Sequence, residues 1–297
     1  PLSELLSPET LSSINDYLLL AKTAVEGLLS GLHRSHSKGS GSEFLQYRDY
    51  VPGDELKYLD WKLLAKHNKA CCKVFYEESN LDCVILLDAS ASMAYQGNNA
   101  VCSKFRYAAI IAACIAYLAK KQGDRIGLCV YADQIKNIIS PTNENANLAR
   151  LLVTLENIKA EGVANQNAAL QFVEEYLQKK SLIVWLSDFQ GLEENLAKNL
   201  RQLRFAGHDN FLCQILDEDE LKLPFNETLR FVDSENNREI TTNAALIREE
   251  YKERMNSFLD SIRKSSLNEE SDFLLASSSD NIGNLLAAWL HKRERLS

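Results

Sequence analysis

The sequence predicts an α/β protein built on a doubly wound, mostly parallel sheet. Two observations carry that reading. Short apolar runs at Cys83 to Leu87, Arg125 to Tyr131, Leu182 to Leu186 and Phe211 to Leu216 have the length and composition of strands buried on both faces. Between them stand helical stretches of ten or more residues, the alternation that parallel strands joined by crossovers require.

Taken in order, residues 8–29 read as an opening helix, with Leu11, Ile14, Leu18 and Ala21 at spacings of three and four and Ser7 before Pro8 as a cap. Ser30 to Ser42 is rich in Gly, Ser and His and reads as a surface loop. Glu43 to Tyr50 and Cys72 to Glu77 look extended, on either side of the Pro52-Gly53 turn signal. No helical crossover separates them, so residues 30–79 are expected to form a small β-rich subdomain.

The strand–helix alternation occupies residues 80–217, which read as one domain. A long helix spans Asn99 to Lys121, and Ile135 to Ile139 pairs as a hairpin with the second strand. Helices follow at about 144–158 and 167–179. A helix over 194–205 separates the last two buried strands. Residues 218–297 are expected to complete the sheet. They comprise an acidic hairpin from Leu221 to Thr242, turning at Ser234-Glu235-Asn236-Asn237, and a helix capped by Asn243 with the stripe Ile247, Tyr251, Met255, Phe258 and Ile262. A strand at Phe273 to Ala276 and a helix over 281–293 close the chain.

The 297 residues are 45% hydrophobic and 25% charged, with only 12 glycines and 5 prolines, so a sizeable packed core is expected. The net charge of −8 argues against nucleic acid as a partner. The longest apolar run, Ala108 to Ala119, is too short for a membrane span. No signal-peptide pattern opens the chain. Seven cysteines, mostly within apolar segments and without a C-x-x-C, fit a reduced, cytoplasmic setting better than disulfides or a zinc site.

Asp88-Ala-Ser90-Ala-Ser92 follows the first buried strand. In extended chain, side chains two apart point the same way, so one carboxylate and two hydroxyls can converge. These are hard oxygen donors of the kind Mg²⁺ or Mn²⁺ takes, at the carboxyl end of a strand where open α/β sheets bind ligands. The fourth strand ends in Ser187-Asp188. In a strand order 3-2-1-4-5 it would lie beside the first, and Asp188 would face the same crevice.

These residues resemble the von Willebrand factor type A fold and its metal-ion-dependent adhesion site. Asp88, Ser90 and Ser92 match its D-x-S-x-S, and Asp188 its later Asp, over roughly residues 80–217. The resemblance implies a divalent ion with one open position that a partner's acidic side chain fills. The family's Thr is missing: Val163 or Ala164 stands in its place within Glu161-Gly-Val-Ala-Asn-Gln-Asn167. Asn165 or Asn167 is a candidate substitute through an amide oxygen. In the alternative, the site is degenerate and Ser90 and Ser92 merely cap the next helix.

A second resemblance rests on Gly31-Leu-His-Arg-Ser-His36, Gly39-Ser-Gly-Ser-Glu-Phe44, Arg48-Asp-Tyr-Val-Pro-Gly-Asp54, Leu59-Asp-Trp-Lys62, Phe75-Tyr-Glu77 and Ser90-Ala-Ser-Met93. In order and separation these are similar to the bacterial family called domain of unknown function 58. That resemblance implies a partnership with a MoxR-type AAA+ ATPase in maturing or remodelling a client protein. Arg48, Asp54, Asp60 and Trp61 are expected to lock the subdomain together rather than to bind a partner. The Asp217-Glu-Asp-Glu220 run is expected to be a solvated face.

Enzymatic signatures are missing. No G-x-x-x-x-G-K-[ST], G-x-G-x-x-G, H-E-x-x-H or G-x-S-x-G occurs. Ser90 stands where haloacid-dehalogenase-type phosphatases carry a second Asp. The expectation is a non-enzymatic interaction module; the rivals are an ion-independent scaffold and, less favoured, a metal-dependent phosphoester hydrolase.

Overall fold

Asp82–Asp88 (β3) is buried at all seven positions, because a strand covered by helices on both faces has no wet side for polar residues. The computed structural model describes residues 7–36, 47–49, 71–73, 81–191, 193–235 and 238–295. Its main sheet adds Arg125–Tyr131 (β4), Ile135–Thr142 (β5), Ser181–Ser187 (β6), Asp209–Leu216 (β7) and Asp272–Ser277 (β10). The spatial order is β10-β7-β6-β3-β4-β5. Every pairing is parallel except β5 against β4. The central strand is therefore flanked by β4 and β6, and the carboxyl ends of three strands meet at one crevice.

Alternate residues of each strand enter different cores. Cys83, Ile85 and Leu87 pack with Lys104–Lys121 (α3) and with Trp289 of Ile282–Glu294 (α9). Val84 and Leu86 pack on the other face with Gln166–Tyr176 (α5), Glu193–Phe205 (α6) and Ile262 of Ala244–Asn268 (α8). Asn145–Asn157 (α4) covers the β4–β5 end of the first face through Leu151, Leu152 and Leu155. The Ala108 to Ala119 run lies in α3, and no described helix is long and apolar enough to cross a membrane. Cys83, Cys102, Cys114, Cys129 and Cys213 are buried free thiols.

The amino-terminal reading needs correction. Residues 8–29 form two helices, Pro8–Ser12 (α1) and Tyr17–His36 (α2). The break falls where Asp16 Oδ1 accepts from Leu19 N at 2.9 Å and starts the second. Helix α2 also runs through the predicted loop to His36. Tyr17, Leu20, Ala21, Ala24 and Val25 bury the inner face of its first turns. Arg106 ties these helices to α3, stacking 4.3 Å over the Tyr17 ring and donating to Ile14 O at 2.7 Å.

Of the expected β-rich subdomain, the structure describes Tyr47–Asp49 (β1) paired antiparallel with Cys71–Lys73 (β2). Pro52-Gly53, Asp54, Asp60, Trp61 and Phe75 to Glu77 lie outside the described residues.

Helix α3 starts at Lys104, five residues later than Asn99, because Ser103 Oγ caps it by accepting from Arg106 N at 3.2 Å. Beyond β7 come Glu218–Lys222 (α7) and a separate hairpin of Thr228–Val232 (β8) and Glu239–Asn243 (β9). Strand β10 then returns to pair with β7 at the edge of the main sheet.

Candidate metal site

Residues 89–91 are fastened on both sides. Ala89 N donates to Tyr131 O and Ala91 N to Gly162 O, each at 2.8 Å, while Glu161 N returns to Ala89 O at 2.8 Å. These bonds hold the chain extended past the end of β3 and bring Asp88, Ser90 and Ser92 into one buried cluster. Asp88 Oδ1 accepts from Ser90 N at 2.8 Å, and Oδ2 from the Ser187 hydroxyl at 2.6 Å. The Ser90 and Ser92 hydroxyls stand 3.1 Å apart.

The alternative role for the serines, capping the next helix, is not what they do. Ser90 precedes a short 3₁₀ turn, Ala91–Ala94, but its side chain makes no cap hydrogen bond. Helix α3 has its own cap in Ser103. Two buried hydroxyls thus face each other beside a buried carboxylate without being committed to a helix end.

Because β6 neighbours β3, Ser187-Asp188 emerges beside Asp88. The chain turns sharply there, with Phe189 at a φ of 58°. Ser187 Oγ accepts from Phe189 N at 2.9 Å and Asp188 Oδ1 from Gln190 N at 3.1 Å. Burial, and then the charge of Asp188, push the Asp88 carboxyl up to about 7 against the opposing hydrogen bonds from Ser187 and Ser90. Two buried carboxylates share the crevice.

Two contributors escaped the sequence reading. Lys104 Nζ donates to Asp188 Oδ2 at 2.9 Å and to Glu220 Oε1 at 2.7 Å, and the lysine side chain is fully buried. Burial alone would lower its pKa, but the two carboxylates more than offset this and raise it. A signal existed: a cation in the first turn of a helix opposes the helix dipole and calls for a compensating anion. The second contributor is Glu235, from the distant β8–β9 hairpin. Its Oε1 accepts from Ala164 N at 3.3 Å, and it lines the same cavity as Ser92. Only the fold brings it there.

Neither asparagine offered as a substitute for the missing Thr reaches the cluster. Asn165 caps α5, its Oδ1 accepting from Asn167 N at 3.1 Å, while its amide donates to Asp133 O at 3.1 Å. Asn167 is exposed. At Ala164, the backbone N–H faces the site and holds Glu235. Asp133 lies in the β4–β5 turn.

The Asp217-to-Glu220 run is not a solvated face. Asp217 and Asp219 are buried. Asp217 accepts from Gly97 N at 3.0 Å, Asp219 N at 2.9 Å and the Ser278 hydroxyl at 3.0 Å. Asp219 takes Asn98 N at 3.0 Å. These acids satisfy buried donors around the crevice, and the charge of Glu220 is met by Lys104.

Among the described residues, no group of three or more His, Cys, Asp or Glu side chains forms a metal cage. The cluster fits a different kind of occupant, a hard cation held by one free carboxylate and two hydroxyls that keeps most of its waters.

The family-model comparison agrees with the resemblance to domain of unknown function 58. The family described as "Protein of unknown function DUF58" matches residues 46–258. Uncharacterized proteins of Mycobacterium tuberculosis and Mycobacterium bovis are 25% identical over 220 residues, spanning 73% of this chain and 68% of each relative. Among solved structures, the conserved hypothetical protein BatB of Bacteroides thetaiotaomicron aligns with a TM-score of 0.47 at 14% identity, covering 72% of this chain and 99% of that one. The SpRpn10 VWA domain aligns with a TM-score of 0.44 at 12% identity, covering 69% and 93%.

Proposed function

The chain belongs to the DUF58 family, and from that membership we propose that it is a non-enzymatic protein-interaction module whose crevice uses a divalent ion to grip an acidic side chain of a partner. The observation that carries this reading is the pair of buried Ser90 and Ser92 hydroxyls, 3.1 Å apart beside Asp88 and unused as helix caps. The order 3-2-1-4-5-6 of the sheet strands supports it by setting Asp188 beside them.

Asp88, Ser90 and Ser92 would hold Mg²⁺ or Mn²⁺, with Asp188 direct or through water. When bound, the ion supplies a positive charge and an open coordination position for a carboxylate. The chain's own residues do the rest. Lys104 already neutralises Asp188, so the free charge available to a cation rests on Asp88. That set is too weak to strip an ion of its waters, which suits a reversible grip. Ser187 and the Ser90 N–H hold the Asp88 carboxylate in one orientation.

The partner class, an AAA+ ATPase of MoxR type acting on a client protein in the cytoplasm, rests on the sequence resemblance. A second reading, an ion-independent scaffold, draws on Ala164 and on the capping role of Asn165, which leave the position of the family's Thr without a side-chain oxygen donor.

Co-precipitation of the full chain with its species' MoxR-type ATPase tests both. Association in Mg²⁺ that is lost in EDTA and in Asp88→Asn is the expected result. Association indifferent to chelator favours the scaffold, and no association overturns the partner assignment. Release of phosphate from a generic ester, abolished in Asp88→Asn, would favour the hydrolase.

A further inference from the structure

The β8–β9 hairpin forms a two-stranded sheet of its own, with largely exposed strands. Such a hairpin is marginally stable by itself, so its inward contacts decide where it sits. Asp233 shapes the turn: its N–H donates to Arg238 O at 2.8 Å, and its Oδ1 accepts from Glu235 N at 2.9 Å. The turn sends Glu235 back over the crevice, onto Ala164 N and into the cavity that Ser92 also lines. Hairpin and crevice enclose a cavity of about 460 Å³, lined by Ser92, Tyr95, Gln190, Glu220, Phe231 and Glu235 among others.

A glutamate is a poor choice for this place on electrostatic grounds. Asp219, Glu220 and Asp233 line the same cavity, so a further carboxylate there adds like charge. Packing alone would favour an apolar or amide side chain. A carboxylate there is explained by a donor that receives one, the Ala164 N–H, with a hydroxyl of the D-x-S-x-S motif lining the same cavity.

We propose that Glu235 is this chain's own occupant of the position a partner's acidic side chain takes, so that the hairpin closes the site until a partner displaces it. The proposal rests on the interaction-module reading of the same crevice. A tethered carboxylate competes at an effective concentration of about millimolar or more. A partner therefore binds only the fraction of molecules whose hairpin has swung away, and its apparent affinity falls by that fraction.

The test uses the full chain with hexaglutamate as the acidic probe, in Mn²⁺ and in EDTA. Glu235→Gln and Glu235→Ala are expected to bind the peptide about tenfold or more tightly than wild type in Mn²⁺. Amide exchange at Ala164 and through residues 228–243 is expected to quicken in both variants. Equal peptide affinity in wild type and variants, including no binding by any of them, overturns the plug, as does unchanged exchange. Chelation separates this proposal from the ion reading. A gain in Glu235→Gln that persists in EDTA keeps the plug and overturns the ion, whereas a gain that EDTA abolishes supports both.

Discussion

The Lys104 ammonium donates to Asp188 Oδ2 at 2.9 Å, and neither side chain has any exposed surface. Lys104 opens helix α3, where the macrodipole disfavours a cation, so its carboxylate partners hold it there. Replacing Lys104 with Met leaves Asp188 buried without its counter-charge. Removing one member of a buried pair costs about 3–5 kcal/mol, and urea unfolding of Lys104→Met should show a loss of that size. A loss below about 1 kcal/mol would class the pair with screened surface pairs.

Gly97 approaches Asp217 too closely for any side chain. An added Cβ would overlap Asp217 Oδ1 and lie 2.8 Å from its Cγ. The carboxylate cannot swing aside without releasing Gly97 N, Asp219 N and the Ser278 hydroxyl. Gly97→Ala should therefore destabilise by about 1–3 kcal/mol, the usual cost of overpacking. Thermal unfolding checks this, at about 2–4 °C per kcal/mol for a chain of this size class. An unchanged midpoint would mean that the Asp217 loop yields freely.

Acid should weaken the fold through His208. Its side chain is 6% exposed, and burial pushes its pKa down against the opposing charge of Asp209. The folded chain then keeps His208 neutral where the unfolded chain, with a pKa near 6.5, takes up a proton. The unfolded state binds more protons below that value, so stability is full above about pH 6.5 and declines as pH falls toward the lowered folded value, by at most about 1.4 kcal/mol per pH unit. His208→Gln should lose less stability than wild type between about pH 7.5 and about pH 5.5. Equal losses would remove His208 from the account.

How much of this was legible follows from range along the chain. The sheet could be read because a doubly covered strand must be apolar throughout, as Cys83 to Leu87 and Leu182 to Leu186 are. Asp88, Ser90 and Ser92 are local: extended chain sets Asp88 and Ser90 on one side, and the 3₁₀ turn that carries Ser92 brings its hydroxyl to them. The relation of Asp188 to them needed only one assumption, that β6 neighbours β3. Lys104 carried only the helix-dipole signal and Glu235 none, for a different reason. A lysine after a capping serine and a glutamate in an acidic turn look like surface residues until helix α3 and the hairpin are laid over the crevice. The Asp217 run misled in the same way, because its acids serve N–H groups of residues 97 and 98, some 120 positions away. Helix α2 overran its predicted end at residue 29, running to His36 through a stretch whose Gly and Ser composition reads as loop.

Divalent ion binding gives the most direct prediction. In EDTA, Asp88 and Asp188 face each other in a buried pocket where only Asp188 has an ammonium partner. A cation on Asp88, Ser90 and Ser92 relieves that imbalance in the folded state alone, because no such cluster exists in the unfolded chain. Binding must then stabilise the fold. Mg²⁺ or Mn²⁺ at about a hundred times its dissociation constant should add about 2.7 kcal/mol, which is several degrees in thermal unfolding for a chain of this size. Asp88→Asn removes the charge while retaining the side chain's shape. It should melt in EDTA no lower than wild type and gain nothing from the ion. Equal ion-induced shifts in wild type and Asp88→Asn would place the ion elsewhere on the chain. No shift in wild type would leave the crevice as an ion-independent surface, with Glu235 held by the Ala164 N–H.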